Sequence, residues 1–264
     1  MQNLRPVCLR LWPGINKHCV GSHCRPCLPH TLITSQRFPA VTRLLTHASR
    51  ALQARTVMET PRAPFLSTLQ QCLSLDSPWG FVIYRTAAYA PNDAAKWQAF
   101  QQKFNSMIQE SFESAAGPEE EVAAARQGWT IRWEEKTNMA EWAAEDVKKH
   151  YEVLLASGSL PVGLSHPLCL MVTSAAIKSI LDAPSPLPRY EYSSGGRGAP
   201  FVVAVDLADL DDEDKNEIED ERYKGHFNVS VQCLLDGLWP ILIEQMCDVE
   251  ELGRGVKMEE VWGM

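Results

Sequence analysis

Trp79-Gly80-Phe81-Val82-Ile83-Tyr84-Arg85-Thr86 is rich in aromatic and β-branched residues, and Asp76-Ser77-Pro78 breaks the chain just before it. A short apolar run of this composition, bounded by turn residues, predicts a buried strand. Pro91-Asn92-Asp93 then marks a helix start. From there Trp97, Phe100, Phe104, Met107 or Ile108, and Phe112 recur at spacings of three and four, which predicts an amphipathic helix that Gly117-Pro118 ends. This strand–helix pair anchors the reading, and the rest of the chain continues the alternation.

Trp129-Thr130-Ile131-Arg132-Trp133 alternates large and polar residues, as a strand with one buried face does. Asn138 with Glu141 three residues later has the form of a capping box, which predicts a helix presenting Ala143, Val147, Tyr151 and Leu154 or Leu155 and ending near Ser157-Gly158. Leu168 to Thr173 predicts a third strand, Ser174–Leu181 a short helix, and Pro200 to Asp206 a fourth strand. Gly225 to Val229 predicts a short fifth one. Val231, Leu234, Leu235, Leu238, Leu242 and Met246 then follow a helical period in which Pro240 must kink or restart the helix. Strands alternating with helices on this scale predict an α+β fold, with helices packed on one mixed or antiparallel sheet. The segments are shorter than a doubly wound nucleotide fold demands, so the expected architecture is a ferredoxin-like sandwich.

Charge divides the 264-residue chain. Residues 1–58 carry eight basic residues and no acid, which leaves 17 basic and 33 acidic residues, a net of −16, for residues 59–264. The expected organisation is a basic N-terminal extension (1–58), a linker (59–77) containing the apolar stretch Phe65 to Leu75, a single α+β domain (78–247) with an acidic loop (206–222), and a polar tail (248–264) whose Trp262 docks back. Two readings fit residues 1–58. In one, Met58 is the true start and the rest an upstream extension. In the other, Val41, Leu44, Leu45, Ala48 and Leu52 oppose Arg43, His47 and Arg50 on an amphipathic presequence helix. Pro6, Pro13, Pro26 and Pro29 oppose the second reading over the first thirty residues, and the first is favoured. The compartment expected is the cytoplasm, or the mitochondrial matrix if the segment is a presequence. No run of 18 apolar residues occurs, so no membrane helix is expected.

From Trp79-Gly80-Phe81-Val82-Ile83-Tyr84-Arg85, through the aromatic helix Trp97–Phe112 and the strand Phe201–Asp206, to Tyr223-Lys224-Gly225-His226-Phe227 and Leu238-Trp239, the sequence resembles a group of uncharacterised filamentous-fungal proteins. The likeness covers residues 78–243. It implies a fungal source and a single domain, and it implies no activity.

The chemistry-bearing residues are sparse. Cys24-Arg25-Pro26-Cys27 has zinc-ligand spacing beside His18, Cys19, His23 and His30, but lacks a second pair at a compatible distance and an apolar frame to fold round a metal. Cys72, Cys169, Cys233 and Cys247 sit in apolar contexts and read as small core residues of a reducing compartment. The Asn228-Val229-Ser230 sequon matters only in a secreted protein. Ten acids in the seventeen residues from Asp206 to Arg222 lack the glycine and ligand order of a calcium loop and read as a solvated run. Ser193-Ser194-Gly195-Gly196-Arg197-Gly198 precedes a strand instead of opening a helix, which is the wrong context for a phosphate cradle.

His150, His166 and His226 could each serve as a general base, though spacing gives none of them a carboxylate partner. Arg85 and Asp206 end the two strongest strands, where sites collect in open sheets, and read first as ion-pairing or turn residues. Tyr84 and Trp79 read as core. No catalytic set, cofactor or metal site is expected, and the negative charge argues against nucleic acid. Two functions remain. One is a non-enzymatic protein-interaction domain with an acidic surface and an unidentified protein partner. The alternative is a metal-independent small-molecule enzyme with an apolar pocket.

Overall fold

The computed structural model describes residues 61–88, 93–186, 198–208, 223–257 and 260–263. The chain divides into Met1–Arg55 and Thr56–Met264, and every described residue belongs to the second unit. The CxxC cluster, the presequence-like helix, residues 193–197 of the glycine loop and residues 209–222 of the acidic run lie outside the described residues.

Five strands form one sheet: β1 (Trp79–Arg85), β2 (Trp129–Glu134), β3 (Leu168–Val172), β4 (Phe201–Asp206) and β5 (His226–Ser230). Their order is β2-β1-β3-β4-β5. β1 runs parallel to both β2 and β3, whereas β4 is antiparallel to β3 and β5 to β4. Among the described residues seven α-helices accompany them: α1 (Pro64–Cys72), α2 (Asp93–Ser114), α3 (Glu119–Gly128), α4 (Ala144–Ala156), α5 (Ser174–Asp182), α6 (Trp239–Glu244) and α7 (Val249–Gly253). The fold is therefore α+β, with helices on one mixed sheet, as expected. The ferredoxin-like detail is not what forms. That arrangement runs β-α-β-β-α-β, whereas here α2 with α3, and then α4, carry the chain between parallel strands before β3, β4 and β5 pair antiparallel, with α5 between β3 and β4.

The period-two side-chain alternation sorts the strands between two cores. Trp79, Phe81, Ile83, Leu168, Leu170, Val172, Val202, Ala204, Phe227 and Val229 point to the face covered by α1, α2, α3, α5, α6 and α7. Val82, Tyr84, Cys169, Met171, Val203 and Val205 point to the other face, where Val147 and Tyr151 of α4 and Met139 close the layer. All seven residues of β1 are buried, because β1 has a strand on each side and a helix layer above and below.

Several elements depart from the sequence reading. The apolar stretch placed in a linker is α1, opened by Pro64 at its first turn, and it buries Phe65, Leu66, Thr68 and Leu69. Residues 119–128, for which no element was expected, form α3. Asn138 does not cap α4. It lies in a 3-10 turn (Thr137–Met139), Glu141 takes a left-handed φ of 65°, and α4 begins at Ala144, where the Asp146 carboxylate accepts the Ala143 N–H at 3.4 Å. The segment expected as a polar tail contains α7, which buries Val249. Pro240 restarts the last long helix at the first turn of α6, just after a π-helical turn (Leu234–Leu238). Trp262 docks back on β5: its N–H donates to Asn228 O at 2.8 Å, and its carbonyl accepts from Ser230 N at 2.9 Å.

Gly80 is required by close approach. Its φ is +139°, and a Cβ there would lie 2.0 Å from the Thr130 carbonyl oxygen of β2. Gly158, at φ +64°, has nothing within 4 Å of the same added atom. Gly80→Ala is therefore expected to cost roughly 3 kcal/mol or more, since both backbone strain and a displaced neighbouring strand are involved, and Gly158→Ala about 1 kcal/mol, from left-handed strain alone. Urea denaturation of the two variants measures the difference. Equal losses at both positions would contradict the close approach of β1 and β2.

Candidate functional site

The chain leaves β1 towards β2 and leaves β3 towards β4, so the connections diverge at the carboxyl ends of two adjacent parallel strands. In open sheets that divergence leaves a crevice. Here it is lined by Arg85, Ala87, Ala88, Asp93, Lys96, Trp97, Ser174 and Ile177. Each residue arrives for a local reason. Arg85 closes β1, Asp93 and Lys96 occupy the first turn of α2, and Ser174 opens α5, whose N-cap Thr173 accepts the Ala176 N–H on its hydroxyl at 3.2 Å. The Arg85 guanidinium carbon stands 4.7 Å from the centre of the Trp97 ring, and its Nη2 donates to Ala88 O at 3.5 Å. Trp97 is buried at this edge and stacks on Phe100 at 4.8 Å. The crevice thus offers two cations, one carboxylate and one hydroxyl around a single aromatic wall. It encloses about 240 Å³ with its open mouth included, short of the several hundred Å³ in which drug-sized ligands are buried.

On the opposite face of the same edge, the Tyr84 hydroxyl lies 2.9 Å from His150 Nδ1. Burial pushes the Tyr84 phenol well above the usual tyrosine range, so it keeps its proton. Arg132 Nε and Glu134 Oε1 pair at 2.8 Å on β2, on the same face as Tyr84. Trp142 packs 5.7 Å from the His150 ring.

The other residues singled out by sequence stand apart. Asp206 ends β4, and the antiparallel register sets it opposite Leu168, at the far end of the sheet from Arg85. It accepts the Ala208 N–H at 2.9 Å and the Tyr223 hydroxyl at 3.2 Å, which makes it a turn residue, and burial raises its pKa. His226 bonds to Lys224 O through Nδ1 at 3.0 Å. His166 is sealed inside: its Nε2–H donates to Gly80 O at 2.8 Å, its backbone N–H donates to the Tyr151 hydroxyl at 3.2 Å, and Phe81 packs 5.3 Å away. Its Nδ1 has no partner among the described residues, and burial drives its pKa down to about 4. Cys169 is buried in the α4-side core, which raises its thiol pKa. Cys72 is exposed, unlike the core residue expected there, because it ends α1 on the solvent side. Among the described residues, no three His, Cys, Asp or Glu side chains come together as a metal-ligand set.

Sequence reasoning assigned Tyr84 to the core and missed its bond to His150, which joins a strand to a helix 66 residues away. It also missed Asp236. This residue lies in the π-helical turn before α6, one of its carboxylate oxygens has no partner among the described residues, and burial lifts its pKa to about 6.

His166 and Asp236 couple folding to pH with opposite signs. The unfolded histidine takes up a proton near pH 6.5 and the folded one only near pH 4, so acidification through that window removes about 3 kcal/mol of stability. The folded Asp236 protonates near pH 6 and the unfolded one near 3.8, so acidification through almost the same window adds stability. The two contributions offset each other in the natural chain. In denaturant titrations between about pH 7 and pH 4, His166→Gln is expected to gain stability on acidification and Asp236→Asn to lose it more steeply than the parent. Parallel pH profiles for all three proteins would refute both assignments.

Compared with protein-family models, with curated proteins and with solved structures, the chain matches none.

Proposed function

We propose that this chain is a non-enzymatic protein-interaction domain that meets its partner through an acidic surface. The observation that carries the reading is how the candidate catalytic groups are used. His166 and Cys169 are sealed in the interior, His150 is bound to Tyr84, His226 is tied to the carbonyl two residues before it, and Asp206 serves a turn. A nucleophile or base must instead be free to reach a substrate atom. The exterior carries the opposite emphasis. Glu119, Glu120, Glu145, Asp146, Asp248 and Glu251 are exposed, at the N-terminal ends of α3, α4 and α7. The resemblance to the filamentous-fungal group is compatible with this reading and adds no chemistry to it.

The crevice beside Arg85 favours a second reading, a small-molecule enzyme that works at the edge where parallel strands end. Its lining sets three charged side chains and a serine beside Ala87, Ala88, Ile177 and a single aromatic wall, Trp97, and its volume of about 240 Å³ falls short of an enclosing metabolite pocket.

Native mass spectrometry of the full chain recovered from its own cells separates the two. The interaction reading expects a stoichiometric protein partner, with an association rate that falls steeply between about 50 and 500 mM salt, because complementary charge steers the encounter. A non-protein mass retained reproducibly by the folded chain, with no protein partner, overturns it in favour of the crevice.

A further inference from the structure

The two edges of the sheet are treated differently. The β5 edge is closed by the chain's own C-terminal segment through the Trp262 bonds to Asn228 and Ser230. The β2 edge borders only β1, and among the described residues no backbone group bonds to its outer side. Lys136, two residues past β2, is still extended, with φ −136° and ψ 142°, and its carbonyl accepts the Met139 N–H at 2.9 Å. An open edge is a template for another strand unless something covers it.

We propose that the occupant is a second copy of this chain, paired antiparallel through β2 about a twofold axis normal to the sheet and passing through Trp133. This proposal stands independently of the interaction reading above. The choice of occupant and of register comes from charge. Opposed residues in such a pair share a face, so each candidate register is centred on one residue. Centred on Arg132, the pair sets that arginine against itself. Centred on Glu134, it sets glutamate against glutamate and Arg132 against Lys136. Centred on Ile131, it runs Lys136 into Arg126 of α3, where there is no strand to meet it. Centred on Trp133, it sets Arg132 against Glu134 of the second copy and Glu134 against Arg132, so that two opposite-charge pairs form across the dyad. Thr130 then faces Lys136, and the two Trp133 rings meet on the other face.

The Arg132–Glu134 pair at 2.8 Å within each chain already holds both side chains on one face of β2. Joining two copies turns two ion pairs into a row of four alternating charges, and two five-stranded sheets into one of ten strands. Cross-strand pairs of opposite charge stabilise and like pairs destabilise. One strand pair buries less surface than a permanent dimer needs, so the association is reversible.

Sedimentation equilibrium of the full chain over a concentration series tests this. The expected result is a monomer–dimer equilibrium that Arg132→Glu and Glu134→Arg each weaken about tenfold or more, because each places like charges across the dyad twice, and that the double exchange R132E/E134R restores. Amide exchange supplies a readout that needs no variant: residues 129–136 of the natural chain gain protection as concentration rises. A chain that stays monomeric throughout, a dimer indifferent to both single exchanges, a double exchange that restores nothing, or protection that does not change with concentration each overturns the proposal.

Discussion

The indole of Trp79 is the contact on which the rest of the structure depends. It is fully buried, its Nε1–H donates to Ala125 O of α3 at 2.7 Å, and four aromatic rings close round it: Phe65 of α1 at 5.4 Å, Phe112 of α2 at 6.0 Å, Trp129 of β2 at 4.7 Å and Trp239 of α6 at 4.6 Å. Five elements from across the described unit therefore meet on one side chain at the start of the central strand. Large aromatic residues carry most of a core's buried apolar area, and edge-to-face pairs add to it. The Trp79 indole bond to Ala125 O also places the end of α3 and so the entry into β2. Because the residue after Trp79 is a glycine pressed against β2, the strands can come together directly below this cluster.

A hydrogen-bonded seam continues the same constraint along the loop before β3. Gly163 O accepts from Gly80 N at 3.0 Å and from Trp239 Nε1 at 3.2 Å, while Tyr151 donates to Leu164 O at 3.1 Å and accepts from His166 N at 3.2 Å. The loop thus has its polar groups satisfied by β1, α4 and α6, as a buried connection must. This accounts for the interior position of His166. His166 is there as a neutral hydrogen-bond donor to Gly80 O, and burial holds it in that state.

Where the sequence carried a strong local signal, the fold was legible in it. The helix from Trp97 to Phe112 buries every residue its spacing marked, and the strands at Trp79, Trp129, Leu168, Phe201 and His226 lie where alternation or apolar runs put them. The failures share a cause, which is that local pattern was weak or tertiary contact decided. α3 has only Val122, Ala125 and Gly128 buried among small and acidic residues, too few to declare a period. α1 follows two prolines and looked like a linker, yet it earns its place by packing Phe65 on Trp79. The capping pattern at Asn138 was genuine in form, but Glu141 N donates to Thr86 O, and that long-range bond turns the chain before a helix can start. The ferredoxin-like expectation failed for a broader reason. Element order constrains strand order only loosely, and nothing local tells a crossing connection from a hairpin return. Of the site, Arg85 was legible as a strand-end charge, whereas Trp97 and Ser174 become its neighbours only once α2 and α5 lie side by side.

Charge is distributed in this unit as the helices direct. Glu119, Glu120 and Glu121 fill the first turn of α3, Glu145 and Asp146 that of α4, and Glu250 and Glu251 that of α7, where the positive end of each helix dipole favours an acid. Much of the acidity is therefore tolerated at little cost in stability, because each group meets a local partial charge before it meets its neighbours. The cations are placed otherwise. Arg85 lies over Trp97 at the strand ends, Lys103 donates to Leu181 O and Ala183 O and so neutralises the carboxyl end of α5, and Arg132 pairs with Glu134 on the open edge. These three positive groups thus hold junctions between elements, while acids fill the first turns of α3, α4 and α7.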